Sequence, residues 1–188
     1  MKKSRSLTYN SPVVLTFVII SFGVMVANYL TAGLSNKLLF MTYHSSLASP
    51  LTYVRMFTHV LGHSGWSHYI GNMMYLLLLG PMLEEKYGSR AIVEVILVTG
   101  LVTGLVTWFL FPNIALCGAS GVVFAFIMMT SFTSFKEGEI PLTVILVAII
   151  FIGQQIYEGI FVQDDISNMA HILGGIVGAI AGYVLNKK

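Results

Sequence analysis

The sequence predicts an all-α, polytopic membrane protein, and its composition and length point to that fold class. Hydrophobic residues make up 56% of the 188 residues and charged residues 10%, and the mean hydropathy is +0.82. Soluble domains contain about 25% charged residues. Since a membrane helix needs roughly 20 apolar residues, the chain has room for about six spans. We expect one membrane domain over residues 12–188, preceded by a short cytoplasmic tail at residues 1–11.

Six apolar segments are predicted to cross the bilayer, because Gly, Pro or charged residues separate them. The predicted spans cover residues 12–34, 68–83, 91–111, 119–135, 140–158 and 168–185. The first is too long for the core of a signal peptide, so we expect it to be retained. The second and fourth are short and open on polar residues. The segment 35–67 is rich in aromatic and apolar residues, which indicates an ordered loop.

The distribution of basic residues predicts the topology. With the N-terminus inside, only Lys37 and Arg55 of the ten basic residues fall outside, in agreement with the positive-inside rule. We therefore expect a multi-pass integral membrane protein with both termini in the cytoplasm, in the cell membrane if the organism is bacterial. The net charge of +2 is too small to indicate nucleic-acid binding. Cys117 is the only cysteine, which excludes an intrachain disulfide.

Ser120 is a candidate nucleophile in the segment Gly118-Ala119-Ser120-Gly121. The flanking glycines permit a sharp turn and close approach of another chain, and a helix N-terminus at this point favours developing negative charge. The alternative is that serine and glycine serve only tight helix packing. Taken alone, the motif does not decide between a catalytic and a structural role.

His171 is the candidate base for this serine, because a hydroxyl becomes a useful nucleophile only beside a group that accepts its proton. Its span carries Gly174 in a small-residue series repeated every four residues, and Gly121 opens a small face on the fourth span. If the two faces meet, Ser120 and His171 come within hydrogen-bonding reach. A buried histidine that only bonds a carbonyl group is the alternative.

His68 and Asn72 are four residues apart, so they share one face of the second span. Both can donate a hydrogen bond to the oxyanion that forms when a carbonyl group is attacked. An interhelical polar clamp is the alternative. A zinc site built on His59, His63 and His68 is a further alternative, but no carboxylate lies at helical spacing from these histidines. We predict neither a metal nor another cofactor.

These segments together resemble the rhomboid family of intramembrane proteases. The family's histidine and asparagine four residues apart match H-Y-I-G-N at 68–72, and its GxSG serine matches G-A-S-G at 118–121. Its last-span histidine and following glycine match A-H-I-L-G-G at 170–175. The resemblance includes R-M-F-T-H at 55–59 and E-E-K-Y-G-S at 84–89, so it extends from about residue 50 to the end of the chain.

The resemblance implies a six-span rhomboid bundle and an intramembrane serine endopeptidase with a Ser-His dyad. It assigns the roles of nucleophile and base to Ser120 and His171. It places His68, Asn72 and the Ser120 backbone N–H, beside Gly118, in the oxyanion hole. It also makes Glu84 a structural hydrogen-bonding residue. The implied partners are single-span transmembrane substrates within the lipid bilayer.

The sequence departs from the family pattern at Phe124. Many bacterial members carry tyrosine four residues after the serine, where it stacks on the catalytic histidine, and a phenyl ring can still stack in that way. Two other functions remain open from the residues themselves: a catalytically silent rhomboid-like protein that binds membrane helices, and a small transporter.

Overall fold

The computed structural model describes residues 7–133, 139–161 and 165–187, without the side chains of residues 155, 156, 158–161 and 165–167. Six long helices account for most of this part of the chain: α1 Pro12–Leu30, α4 Trp66–Tyr87, α5 Ser89–Leu110, α6 Ser120–Ser131, α7 Leu142–Phe161 and α8 Asp165–Asn186. The shorter elements are α2 Leu34–Leu39, β1 Thr42–Tyr43, α3 Pro50–Thr58, a 3-10 turn at His59–Leu61 and β2 Ala115–Leu116. The predicted all-α fold is therefore confirmed.

Each predicted span overlaps one long helix, and the largest differences concern the C-terminal ends of the first, second and fourth spans. The helix α1 ends at Leu30 because Ala32 and Gly33 adopt positive φ angles of 49° and 92°, which interrupt the helix before α2. The second span was predicted to be short, but α4 has 22 residues. Its polar C-terminal end remains helical to Tyr87, and Gly88, with a φ of 84°, ends the helix.

The apolar character of the helices fits a bilayer. Three helical stretches, Pro12–Leu30, Ser89–Leu110 and Asn168–Asn186, are long and apolar enough to cross a membrane. Ser120–Ser131 and Leu142–Gln154 are shorter apolar helical stretches. Large apolar side chains are exposed along α1, α4, α5, α7 and α8, which is unfavourable in water but expected of surfaces that face lipid. The protein is an integral membrane protein.

The loop between α1 and α4 is ordered, as its composition predicts. Strand β1 pairs antiparallel with β2, with Thr42 opposite Leu116. The guanidinium of Arg55 donates to the Tyr43 hydroxyl at 2.8 Å and to the Ser45 hydroxyl at 3.0 Å. This loop is therefore attached to the chain segment that leads into α6.

The centre of the bundle is α6. Val122, Ala125 and Met129 have no exposed surface, and Phe126 is 1% exposed. The helix contacts α4, α5, α7 and α8, most extensively α8. At 1.5 Å per residue, its 12 residues span about 18 Å, well short of the roughly 30 Å hydrocarbon core. Its first residue can therefore lie below the membrane surface.

Candidate active site

The turn before α6 places Ser120 at the first position of the helix. Gly118 has a φ of 135°, a conformation that residues with a side chain rarely adopt. Its backbone N–H donates to the carbonyl oxygen of His59 at 2.9 Å, which holds the turn against the 3-10 segment. Ala119 is fully buried. The hydrogen bond of Gly118 and the burial of Ala119 thus hold the turn in place, and Ser120 begins the helix at a defined point.

The small faces predicted on the fourth and last spans do meet. A Cβ added to Gly174 would collide with the carbonyl oxygen of Gly121, and one added to Gly178 with that of Ala125. A Cβ on Gly121 would lie 3.3 Å from the carbonyl oxygen of Ala170. The backbones of α6 and α8 therefore touch directly. The contact between Gly121 and Ala170 involves the immediate chain neighbours of Ser120 and His171.

Ser120 and His171 line the same cavity, which has a volume of about 420 Å³. Its walls come from α4, α6, α7 and α8 and combine polar with apolar side chains. The lining residues are Ser67, His68, Gly71, Asn72, Tyr75, Ser120, Val123, Phe124, Ile127, Gln154 and His171. The structure thus brings together the residues singled out as nucleophile, base and side-chain oxyanion donors. Two further crevices, between α5 and α8 and between α1 and α5, have mainly apolar walls.

Phe124 stacks on His171 as the sequence predicts. The two ring centroids are 4.3 Å apart, with 39° between the ring planes. The distance lies slightly below the usual 4.5–7 Å range of aromatic pairs, so the rings are in close contact. The phenyl ring of Phe124, although it lacks the hydroxyl group of a tyrosine, therefore limits the orientations open to the imidazole.

Two donors on α4 face the turn that carries Gly118. A Cβ on Gly118 would lie 2.8 Å from Nε2 of His68 and 3.8 Å from Nδ2 of Asn72. Both side-chain nitrogens therefore lie close to the backbone just before Ser120. Asn72 is 7% exposed, and its Nδ2 has no hydrogen-bond acceptor among the described residues. A buried donor left unpaired is costly, and a ligand oxygen in the cavity would pair it.

The other ring nitrogen of His68 has a hydrogen-bond partner that sequence reasoning missed. Nδ1 of His68 lies 3.1 Å from the hydroxyl oxygen of Ser64, four residues earlier in the turn before α4. If the hydroxyl donates to Nδ1, the neutral ring carries its proton on Nε2, toward Gly118. The i, i+4 spacing of Ser64 and His68 was the available signal.

The histidines before α4 have structural contacts. Nδ1 of His59 lies 3.1 Å from the carbonyl oxygen of Arg55, and Nε2 lies 3.1 Å from the hydroxyl oxygen of Thr103. Burial lowers the pKa of His59 to about 4 and is also the main reason for a pKa of about 4 at His63. Among the described residues, no three His, Cys, Asp or Glu side chains converge as a metal site would require.

Glu84 forms the hydrogen bonds that the resemblance implies. Its carboxylate accepts from the hydroxyl of Ser11 at 2.6 Å and from the backbone N–H groups of Val13 and Val14 at 3.0 and 3.1 Å. The hydroxyl of Ser89 adds a bond of 2.7 Å. Free N–H groups at a helix start need acceptors, and Glu84 supplies them from a neighbouring helix. It thereby fixes the start of α1 to the end of α4.

Several cavity residues had not been identified from the sequence. Gly71 and Tyr75 lie on the same face of α4 as His68 and Asn72, so helical periodicity could have found them. Gln154 is a polar residue in an apolar helix, which is a weaker signal. The side chains of Glu158, Asp164 and Asp165, which are predicted from the sequence to lie in the outer loop, are outside the described residues.

The fold and the cavity define a helical membrane protein with a polar site inside its bundle, and comparison with known proteins identifies its family. The family model of the Rhomboid domain matches residues 50–188. This match covers most of the chain, which therefore belongs to the rhomboid family.

The chain is also similar to individual members of that family. Rhomboid-like protein 11, chloroplastic, of Arabidopsis thaliana is 23% identical over 184 residues, covering 90% of this chain and 64% of that protein. Rhomboid-related protein 2 of Mus musculus is 32% identical over 162 residues, covering 74% and 53%. Rhomboid protease GlpG of Haemophilus influenzae is 24% identical over 177 residues, covering 92% and 91%. The chain spans less than two thirds of the first two relatives.

Proposed function

We propose that this chain is an intramembrane serine endopeptidase that cleaves single-span membrane proteins through a dyad of Ser120 and His171. The observation that carries the proposal is the shared cavity, where Ser120 and His171 face two side-chain donors from α4. Relatives that are named rhomboid proteases support the same activity. Family membership alone is a weaker argument, because function depends on the site more than on the fold.

Acylation begins when Ser120 Oγ attacks the carbonyl carbon of the scissile bond while His171 accepts the hydroxyl proton. The carbonyl oxygen becomes an oxyanion, which receives hydrogen bonds from His68 Nε2, Asn72 Nδ2 and the Ser120 backbone N–H. His171 then donates the proton to the amine nitrogen as the C–N bond breaks. The products are an acyl-enzyme and a new N-terminus.

Deacylation repeats these steps with water as the nucleophile. His171 takes a proton from a water molecule in the cavity, the hydroxide adds to the ester carbon, and the proton returns to Ser120 as the ester bond breaks. The cavity of about 420 Å³ has room for water beside the peptide. Lipid alone could not supply this reactant, so a hydrated cavity is a requirement of the reaction.

The substrate must expose a carbonyl carbon in an extended segment. In an intact helix the carbonyl groups are bonded within the helix, so substrates should carry Gly, Pro or small polar residues near the cleaved bond. With both termini in the cytoplasm, as the basic residues predict, Ser120 lies toward the outer face. The cut then falls at or near the outer boundary of the substrate helix.

The deciding experiment incubates purified protein in liposomes with a single-span substrate, beside Ser120→Ala, His171→Ala and the double variant. Each should reduce cleavage to background, and the double variant should be no worse than either single one, because dyad members act as a unit. Ser131→Ala is the matched control: Ser131 lies on the same helix, and its hydroxyl bonds the Ile127 carbonyl oxygen at 3.2 Å. Binding of substrate without cleavage by the parent protein would favour the catalytically silent alternative.

A further inference from the structure

Phe151 is the most deeply buried side chain of α7 among those that the structure describes, and Val144, Val147 and Ala148 are half-buried. Phe151 is 9% exposed, whereas its chain neighbours Ile150 and Ile152 are 68% and 52% exposed. The helix packs mainly against α6 and α8. An element with few buried contacts separates from a fold more easily than one with many. The position of α7 beside the cavity therefore depends strongly on Phe151.

The ring of Phe151 lies between Phe124 and the backbone of α8. Its centroid is 4.6 Å from that of Phe124, with 39° between the planes, and Phe124 in turn is 4.3 Å from His171. On the other side, a Cβ added to Gly175 would lie 2.7 Å from Cε1 of Phe151. Gly175 follows His171 by one helical turn. The phenyl ring thus fills the space beside the His171 turn, and it continues the stack of His171 and Phe124 to a third ring.

This stack bears on the orientation of the base. Proton transfer requires the imidazole nitrogen to face the serine hydroxyl within hydrogen-bonding distance. Phe124 restrains the imidazole on one face, but it can do so only while its own rotamer is held. Phe151 closes the space into which Phe124 would otherwise turn. A displacement of α7 that withdrew Phe151 would release Phe124 and, through it, His171.

We infer that Phe151 is a positioning residue for His171, and that it couples the docking of α7 to the alignment of the base. The inference rests on the proposed function, since it concerns the same dyad. It adds that the reactivity of Ser120 depends on the packing of α7 even toward a small reagent, whose entry does not require a transmembrane helix to move past α7. A small soluble reagent for serine nucleophiles can therefore detect the coupling.

The test compares two variants that disturb the stack from opposite sides. Phe151→Leu retains an apolar side chain without the ring, and Gly175→Ala retains Phe151 but places a methyl group where Cε1 now lies. Phe151→Tyr retains the ring. The matched controls are Ile152→Ala, beside Phe151 but exposed, and Gly153→Ala, where an added Cβ meets nothing within 4 Å. Thermal unfolding is measured for every variant.

Two rates are measured: labelling of Ser120 by a small fluorophosphonate, and cleavage of a transmembrane substrate with kcat and KM determined separately. Phe151→Leu and Gly175→Ala should each lower the labelling rate and kcat by a similar factor, about three- to tenfold, with little change in KM. Phe151→Tyr should restore both rates, and the controls should match the parent protein. Combining Phe151→Leu with Gly175→Ala should add little, because both act through one ring.

The inference is overturned if Phe151→Leu leaves the labelling rate unchanged, whatever it does to proteolysis, because α7 would then affect only substrate access. An increase in both rates would also overturn it, since Phe151 would then restrain the site instead of aligning it. A parent protein that neither cleaves nor is labelled at Ser120 would overturn the proposed function, and the inference with it. Normal parent activity with unaffected Phe151→Leu and Gly175→Ala variants would overturn the inference alone.

Discussion

The packing of α6 against α8 and the packing of α7 beside them differ in kind. Between α6 and α8, the glycines 121, 174 and 178 bring two backbones into contact, so a side chain at Gly174 or Gly178 would collide with main-chain atoms and one at Gly121 would lie only 3.3 Å from the Ala170 carbonyl oxygen. The helix α7 instead inserts one described side chain, Phe151, and leaves its neighbours exposed. Backbone contact resists small displacements, whereas one ring can leave its place. Ser120 and His171, the proposed dyad, thus lie on the closely packed pair, and α7 borders the same cavity.

The largest effect on proteolysis is expected from glycine substitutions that contrast the two kinds of packing. Gly174→Ala would drive a methyl group into the Gly121 carbonyl oxygen, which a backbone cannot avoid without separating the helices. We expect a loss of about 1–3 kcal/mol or more in stability and a loss of proteolysis. Gly153→Ala on α7 should be tolerated, because its Cβ points into open space. Unfolding curves and cleavage rates for the two variants decide the matter, and equal behaviour would remove the distinction.

A second prediction concerns the junction between the start of α1 and the end of α4, where the contacts are polar. Glu84→Ala leaves two backbone N–H groups at the start of α1 and two serine hydroxyls without their carboxylate. The expected loss of stability is about 2–4 kcal/mol, because hydrogen bonds to a charged group contribute more than neutral ones. Glu85→Ala, at the exposed neighbouring position, should change stability by no more than about 0.5 kcal/mol. Similar unfolding curves for the two variants would contradict the role of Glu84.

A third prediction concerns pH and the segment before α4, outside the spanning helices. Burial lowers the pKa of His59 to about 4 from the ordinary 6.5. Between these values the unfolded chain binds a proton that the folded chain does not, so stability is full above pH 6.5 and falls as the solution is acidified toward pH 4. Each pH unit in this window costs about 1.4 kcal/mol. His63, with a pKa also near 4, acts in the same direction.

Unfolding measured from pH 7.5 to 5 should show this loss, and His59→Gln should reduce its slope. A slope identical in the parent protein and in His59→Gln would mean that the acid sensitivity arises elsewhere.

The smallest effect is predicted at Ser64, which contacts His68 and not the cavity itself. Ser64→Ala removes the 3.1 Å contact to Nδ1 of His68, which should lower kcat about two- to tenfold with KM unchanged. Ser64→Thr should retain activity. Asn72→Ala, which removes a direct donor, should cost about 100-fold or more. An increase in KM at constant kcat would instead place Ser64 in substrate binding.

Much of the fold and part of the site could be predicted from local sequence. Apolar continuity located six helices, and the four-residue series through Gly174 predicted the contact between α6 and α8. The composition of the loop before α4 predicted its order. The length of α4 was underestimated, because apolar continuity ends before the helix does. Glu84 remains in the helix because backbone N–H groups at the start of α1 donate hydrogen bonds to its carboxylate. Hydropathy does not reveal this contact.

What the sequence by itself determined was the set of spans and the polar groups that each carries, because side-chain period and hydropathy act within a few residues of chain. Only the tertiary structure decided which groups meet. The approach of His68 to Gly118 and the insertion of Phe151 beside Gly175 both join residues that are distant in the sequence. Such contacts depend on how far two backbones approach and at which register. That is a property of the packed bundle as a whole, and no single segment encodes it.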